Sequence, residues 1–277
     1  MKTRLTAPLW AAIAFSLIVC TERHAAATMN DTASLIKEGN ALLEQKRLHD
    51  AAQAFQKAVD LDPSSPRAHE QLGVTLSIEI MSGNTRPSAD SDILERAEDH
   101  LKRAIELAPS APKPLSALSE LEAFVAERSA DFSERTERYK KAQDLLKQAV
   151  SLEPGSAETY LRLANVERDE FGPVLQAAKA RDNANPGPLS DASVRHSLQQ
   201  RYSALIEDAI ANAQKASEMN ANSPRPLLLI SRLFKERALL RNTPEEYASD
   251  MRSAADWQRQ FLAVGGHLDS TEMGASH

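Results

Sequence analysis

The stretch Ala51-Ala52-Gln53-Ala54-Phe55-Gln56-Lys57-Ala58-Val59-Asp60-Leu61-Asp62-Pro63 decides the fold, because its skeleton returns twice further on. Ala51, Phe55, Ala58 and Pro63 recur as Ala97, Leu101, Ala104 and Pro109, and again as Ala142, Leu146, Ala149 and Pro154. The spacing sets two small residues and one bulky residue on a single helical face, and the proline stops the turn that follows. A face of that kind is complete only when another helix covers it. The unit is therefore a helix pair, and its recurrence predicts an array of pairs.

Ahead of the first two strings lies a second periodic segment. Counted from residue 32, positions four, seven, eight and eleven are Leu35, Glu38, Gly39 and Leu42; counted from residue 66 they are His69, Leu72, Gly73 and Leu76. The small residue at the eighth position lets the partner helix approach closely. On these residues the chain resembles the tetratricopeptide repeat, a 34-residue helix-turn-helix unit with Leu-Gly at seven and eight and Ala, Phe, Ala and Pro in its second helix. Residues 32–65 follow that pattern almost throughout, Glu38 being the clear departure. The resemblance implies an all-α, right-handed superhelix of about five helix pairs, with repeats at about 32–65, 66–111, 112–156, 157–223 and 224–263.

The marker alanines 51, 97, 142, 209 and 248 are separated by 46, 45, 67 and 39 residues. Against a period of 34, the excess must lie between the first and second helix of each unit, because the first-helix pattern resumes directly after each proline-like position. Ser82 to Ser88 reads as a polar turn, whereas Leu121 to Tyr139 keeps helical composition and lengthens both helices around Ser129-Ala130-Asp131. The largest excess, from Asp169 to Ser190, reads as a break at Phe171-Gly172-Pro173, a short helix over Val174 to Arg181 and a turn at Asn183 to Ser190. Ser190, Asp191 and Ser193 cap a long helix from about Ala192 to Met219. Ala209, Ala213, Ala216 and then Ala248, Arg252, Ala255 stand where the earlier strings stood. Thr243-Pro244-Glu245-Glu246 announces the last helix, with an N-cap, a proline at the first helical position and a glutamate three residues after the cap. From Asp169 to Leu262 the chain looks like a group of exported bacterial tetratricopeptide proteins with a long fourth-repeat insertion.

Met1-Lys2-Thr3-Arg4 and the apolar run from Ala7 to Cys20 have the charge and length of an export signal, and Ala25-Ala26-Ala27 is an A-x-A cleavage site. Residues 1–27 are thus expected to be a signal peptide, so that the mature chain, periplasmic or secreted, begins near Thr28, with the repeat domain over 28–267 and a disordered tail over 268–277. Cys20, the single cysteine, sits in a faint lipoprotein box, but Val19 stands where Gly, Ala or Ser is usual, so soluble export is favoured over a lipid anchor there. Cleavage removes Lys2, Arg4 and Arg23 against Glu22, a net +2, so the charge of −6 becomes −8. An acidic chain without basic blocks is poorly suited to nucleic acid, and no integral membrane segment is expected after signal removal.

The seven histidines never fall at i and i+4 with each other or beside a cysteine, so zinc-ligand spacing is absent and each reads as an exposed or packing residue. No phosphate-cradling glycine motif or nucleophile elbow occurs. Glu167-Arg168-Asp169-Glu170 does not converge as a cage and reads as a solvated face. No catalytic residue, cofactor or metal site is expected. In the family that the chain resembles, peptides lie in the concave groove against positions two, five, six, nine and twelve of each first helix. Here these positions supply the candidate groove residues Arg67, Gln71, Lys113, Arg162, Asn165, Arg168 and Arg232, with Glu70, Glu120, Arg225 and Lys235 among them. Arginines on an acidic chain point to an acidic or carboxylate-terminated protein or peptide partner. The chaperone-binding carboxylate clamp of some family members is not matched: Asn40 fits, but Ile36 and Gln71 do not. The alternative reading is a peptide- or solute-binding protein that encloses its ligand between the groove and residues 169–190.

Overall fold

The computed structural model describes residues 31–83, 90–182 and 186–267, so the expected signal segment, Cys20 and the C-terminal tail lie outside the described residues, as does most of the turn expected after Ser82. Every regular element among the described residues is an α-helix: α1 (31–44), α2 (Leu48–Leu61), α3 (Pro66–Met81), α4 (Asp90–Leu107), α5 (Pro112–Arg128), α6 (Phe132–Leu152), α7 (Ala157–Arg181), α8 (Ala192–Met219), α9 (Pro224–Ala238) and α10 (Pro244–Ala263). They fall into two compact units, one ending at Ala117 and the other starting at Leu118. In the first, α3 packs on α2 and α4; in the second, α7 packs on α6, α8 and α9, and α10 covers α9. Within each unit these helices pack on their sequence neighbours, as hairpin repeats require.

The recurring string does what its spacing predicts. Ala51, Phe55, Ala58, Ala97, Leu101, Ala104, Ala142, Leu146 and Ala149 are all buried. The eighth position is the point of closest approach: a Cβ on Gly39 would lie 2.4 Å from the Phe55 ring, and one on Gly73 would lie 2.7 Å from Leu101 Cγ and 3.1 Å from its backbone nitrogen. Later pairs hold Ser119, Ala164 and Ser231 at that position, all small and all buried. Chain reversals, both between pairs and within the α5–α6 pair, are fixed by side-chain caps. Ser65 accepts from Ala68 N–H, Ser156 from Thr159 N–H and Asp131 from Glu134 N–H, satisfying donors that a helix start leaves open.

Two expectations are corrected. The stretch from Val174 to Arg181 is no separate short helix; α7 runs unbroken from Ala157 to Arg181 with Pro173 inside it. Phe171 and Leu175 flank the proline and are fully buried in the core formed with Tyr202, Ile206 and Ile230, which offsets the lost backbone hydrogen bond of about 3 kcal/mol. Gly172 relieves the clash that proline imposes on the Cβ of the residue before it. The second correction concerns α10. Ala255 is exposed, and the buried face is Asp250, Ala254 and Phe261, with Trp257 partly covered. Ser231 Oγ donates to the Ala254 carbonyl at 2.8 Å, so Ala254 holds the close-approach place, and the last string runs two residues later than Ala248, Arg252 and Ala255 suggest.

The expected caps of the last two second helices are present. Asp191 accepts from Ser193 and Val194 N–H at the start of α8, and Thr243 and Glu246 form a reciprocal capping box at the start of α10. The connection between α7 and α8 is held down at both ends: Asp182 accepts from Ser190 N–H at 3.1 Å, and Leu189, buried, donates its N–H to the Leu239 carbonyl at 2.9 Å.

Candidate functional site

In the second unit, the first helices of three successive pairs, α5, α7 and α9, are linked by one chain of alternating charge. Glu120 on α5 pairs with Arg162 on α7; Arg162 Nε donates to Glu158 at 3.2 Å; Glu158 in turn accepts from Arg225 on α9 at 3.0 Å. The four side chains are 35 to 63% exposed. Exposed pairs of this kind contribute roughly 0–1 kcal/mol each, so they can be exchanged for a ligand's charges at small cost. Burial and the neighbouring Arg225 pull the Arg162 guanidinium below its ordinary pKa, a sign that the two cations are crowded.

Further along α7 the same face closes on α9 more tightly. Arg168 grips Glu236 with two nitrogens, Nε at 3.0 Å and Nη2 at 2.7 Å, and Glu236 is 8% exposed. The helices meet there because Gly172 carries no side chain: a Cβ on it would sit 3.3 Å from the Glu236 carboxylate. Burial lifts Glu236 above the usual carboxylate range, against the pull of Arg168 and Arg232. Burial likewise lowers Lys235, helped by Arg232, and Lys235 donates to Gln258 on α10 at 3.2 Å.

Of the residues singled out in the sequence, Arg162 and Arg225 are thus joined through Glu158, Arg168 and Arg232 act on Glu236, and Lys235 turns to Gln258. Asn165 turns back on its own helix, donating to the Leu161 carbonyl at 2.8 Å. Arg67 and Gln71, on α3, and Lys113, in the first turn of α5, belong to the first unit; Arg67 and Lys113 are exposed. Glu158, at position two of its repeat, and Glu236, outside the five groove positions, are not among the sequence candidates, yet each closes a pairing on this face.

The solvated face expected over Glu167 to Glu170 is not found. Glu167 is fully buried and accepts from Asn212 Nδ2 on α8 at 2.9 and 3.1 Å. Burial pushes it up to about 7, against the Asn212 hydrogen bond. Burial also raises Asp169 to about 6, and Glu170, likewise raised by burial, accepts from Gln143 on α6 at 2.8 Å. Of the histidines, His69 packs, buried, against His100 between α3 and α4, their Nδ1 atoms 3.0 Å apart. Among the described residues no group of three or more His, Cys, Asp or Glu side chains is placed to hold a metal ion, and no helix is long and apolar enough to cross a membrane. A cavity of about 700 Å³ opens between the C-terminal half of α7 and the start of α8, with Val174, Ala178, Leu189 and Leu198 in its walls and Arg135 and Arg181 among its lining residues.

Stacked helical hairpins with a polar first-helix face define a helical-repeat protein. Residues 39–77 match the model of the TPR repeat, the tetratricopeptide repeat. Solved structures agree over nearly their whole length. The crystal structure of MamA protein is 14% identical with a TM-score of 0.52, covering 86% of this chain and 98% of that one. TTC0263, a thermophilic TPR protein of Thermus thermophilus, is 15% identical with a TM-score of 0.50, covering 84% and 98%. YrrB, described as a TPR protein with an unusual peptide-binding site, is 13% identical with a TM-score of 0.50, covering 87% and 96%. No curated protein matches the chain. Residues 39–77 thus match a tetratricopeptide repeat, and the chain has the all-α solenoid fold of the TPR structures.

Proposed function

We propose that this protein is a non-catalytic interaction module of the bacterial envelope that binds an extended acidic peptide segment of a partner protein along α5, α7 and α9. The observation that carries the reading is the Glu120–Arg162–Glu158–Arg225 chain, which aligns three first helices on one half-exposed face. A peptide carboxylate that displaces Glu120 or Glu158 gains a guanidinium already fixed in place, and bidentate contacts of that kind favour arginine over lysine. Peptide binding by a protein of the same fold, YrrB, supports the class of ligand. The N-terminal apolar run followed by Ala25-Ala26-Ala27 supports export.

The test is fluorescence polarisation with matched peptides, one rich in glutamate and ending in a free carboxylate, the other rich in lysine. The acidic peptide should bind at least tenfold tighter at low salt. Arg162→Glu with Arg232→Glu should abolish that preference while the helical circular dichroism stays unchanged; equal binding of both peptides, or a preference that survives the double substitution, would overturn the reading. The cavity between α7 and α8 supports a second reading, a small apolar ligand, and a ligand bound there would be insensitive to the same substitutions.

A further inference from the structure

We propose that His69 and His100 form a two-histidine site for a divalent first-row transition-metal ion, bridging α3 and α4 in the first unit. The rings approach with centroids 5.2 Å apart and planes tilted by 40°, their Nδ1 atoms 3.0 Å from one another. His69 is buried, and its Nε2 lies 3.1 Å from the Pro63 carbonyl oxygen. A carbonyl only accepts, so Nε2 carries the proton and Nδ1 presents a lone pair. That is how metal-binding histidines are held, the second ring nitrogen anchored on a carbonyl or carboxylate. The hydrogen between the two Nδ1 atoms then belongs to His100.

A tetrahedral ion with metal–nitrogen bonds of about 2.0–2.1 Å holds two ligand nitrogens about 3.3 Å apart. The pair reaches that separation by moving a few tenths of an ångström. The one chemical change is a shift of the His100 proton from Nδ1 to Nε2, after which each ring gives a lone pair and no proton is released. No third ligating side chain converges among the described residues, so water completes the coordination, and the order of affinities for nitrogen ligands places Cu²⁺ above Zn²⁺.

The experiment is calorimetric titration of the untagged full-length chain with zinc chloride alone, then with copper chloride, in a buffer free of chelating groups, beside thermal melts. One zinc ion should bind per chain and raise the melting temperature. His69→Gln and His100→Gln should each weaken binding at least tenfold, whereas His49→Gln should leave it unchanged. Absence of heat and of any thermal shift in the native chain, or zinc uptake that survives His69→Gln with His100→Gln, would overturn the site. A readout on the native chain guards against variants that fail to fold: the imidazole resonances of His69 and His100 should shift on zinc addition, and fixed resonances count against the proposal.

Discussion

In the first unit, glycine meets a bulky apolar side chain where paired helices cross, Gly39 on Phe55 and Gly73 on Leu101, and no carboxylate is buried among its described residues. In the second, each helix pair is tied by an acid taken out of water. Glu122 on α5 accepts from Arg138 and Lys141 on α6, Glu167 on α7 from Asn212 on α8, and Asp250 on α10 from Arg237 at the end of α9 and from Arg241 just beyond it. The difference is one of information. Apolar small-on-large contacts tolerate sliding by a residue, whereas a buried acid is stable only opposite its own partner, so polar ties add to register in the second unit, in α5–α6 with its alanine string intact as in the two pairs where the string has degenerated.

Removing a tie should therefore have the largest effect. Asp250 is 4% exposed and holds both arginines at 2.6 Å, with burial pushing its carboxyl up but the Arg241 and Arg237 hydrogen bonds bringing it net below the ordinary value. Asp250→Ala leaves two guanidiniums facing each other and should cost about 3 kcal/mol in urea unfolding. A loss below about 1 kcal/mol would mean that α10 is held by its apolar face alone, and the contrast between the units would collapse.

Small-contact positions should respond next, and they also test the register of α10. Ala58→Leu in the first unit and Ala254→Leu in the second both overfill a closed crossing and should cost about 2 kcal/mol each, read as lowered melting temperatures. Ala255→Leu, one residue on, should change stability by no more than about 0.5 kcal/mol because Ala255 is exposed. Equal losses at 254 and 255 would restore the register that the alanines alone suggest.

The first unit was legible in the sequence because its contacts are written in residue size at fixed spacing, and size is visible without knowing the partner. The caps at Asp191 and Thr243 were legible for the same reason, being local. The register of α10 was not, because Ala248, Ala254 and Ala255 are equivalent until Ser231 and Arg237 choose among them. Nor was the burial of residues 167–170, whose partners Gln143, Asn212 and Glu236 lie 27 to 68 residues away. The candidate face was half legible: its arginines and Glu120 were readable by repeat position, but the pairings through Glu158 and Glu236 came from the structure.

Glu167 offers the finest test, because its tie carries a cost that pH can switch. Its carboxyl titrates near 7 when folded against about 4.5 when unfolded, so the folded state holds the proton more tightly. The stabilisation from that proton is complete below the unfolded value and is lost as pH rises through about 7. Glu167→Gln keeps a carbonyl oxygen for Asn212 and abolishes the titration. At pH 8 the variant should be more stable than the native chain by about 2 kcal/mol, and the gain should shrink to a fraction of that at pH 5. Urea unfolding of both proteins across this range measures it. Parallel curves would show that Glu167 is not desolvated in the fold; a loss at every pH would show that the ionised carboxylate itself holds Asn212, making the tie in this pair a charged one like that of Asp250.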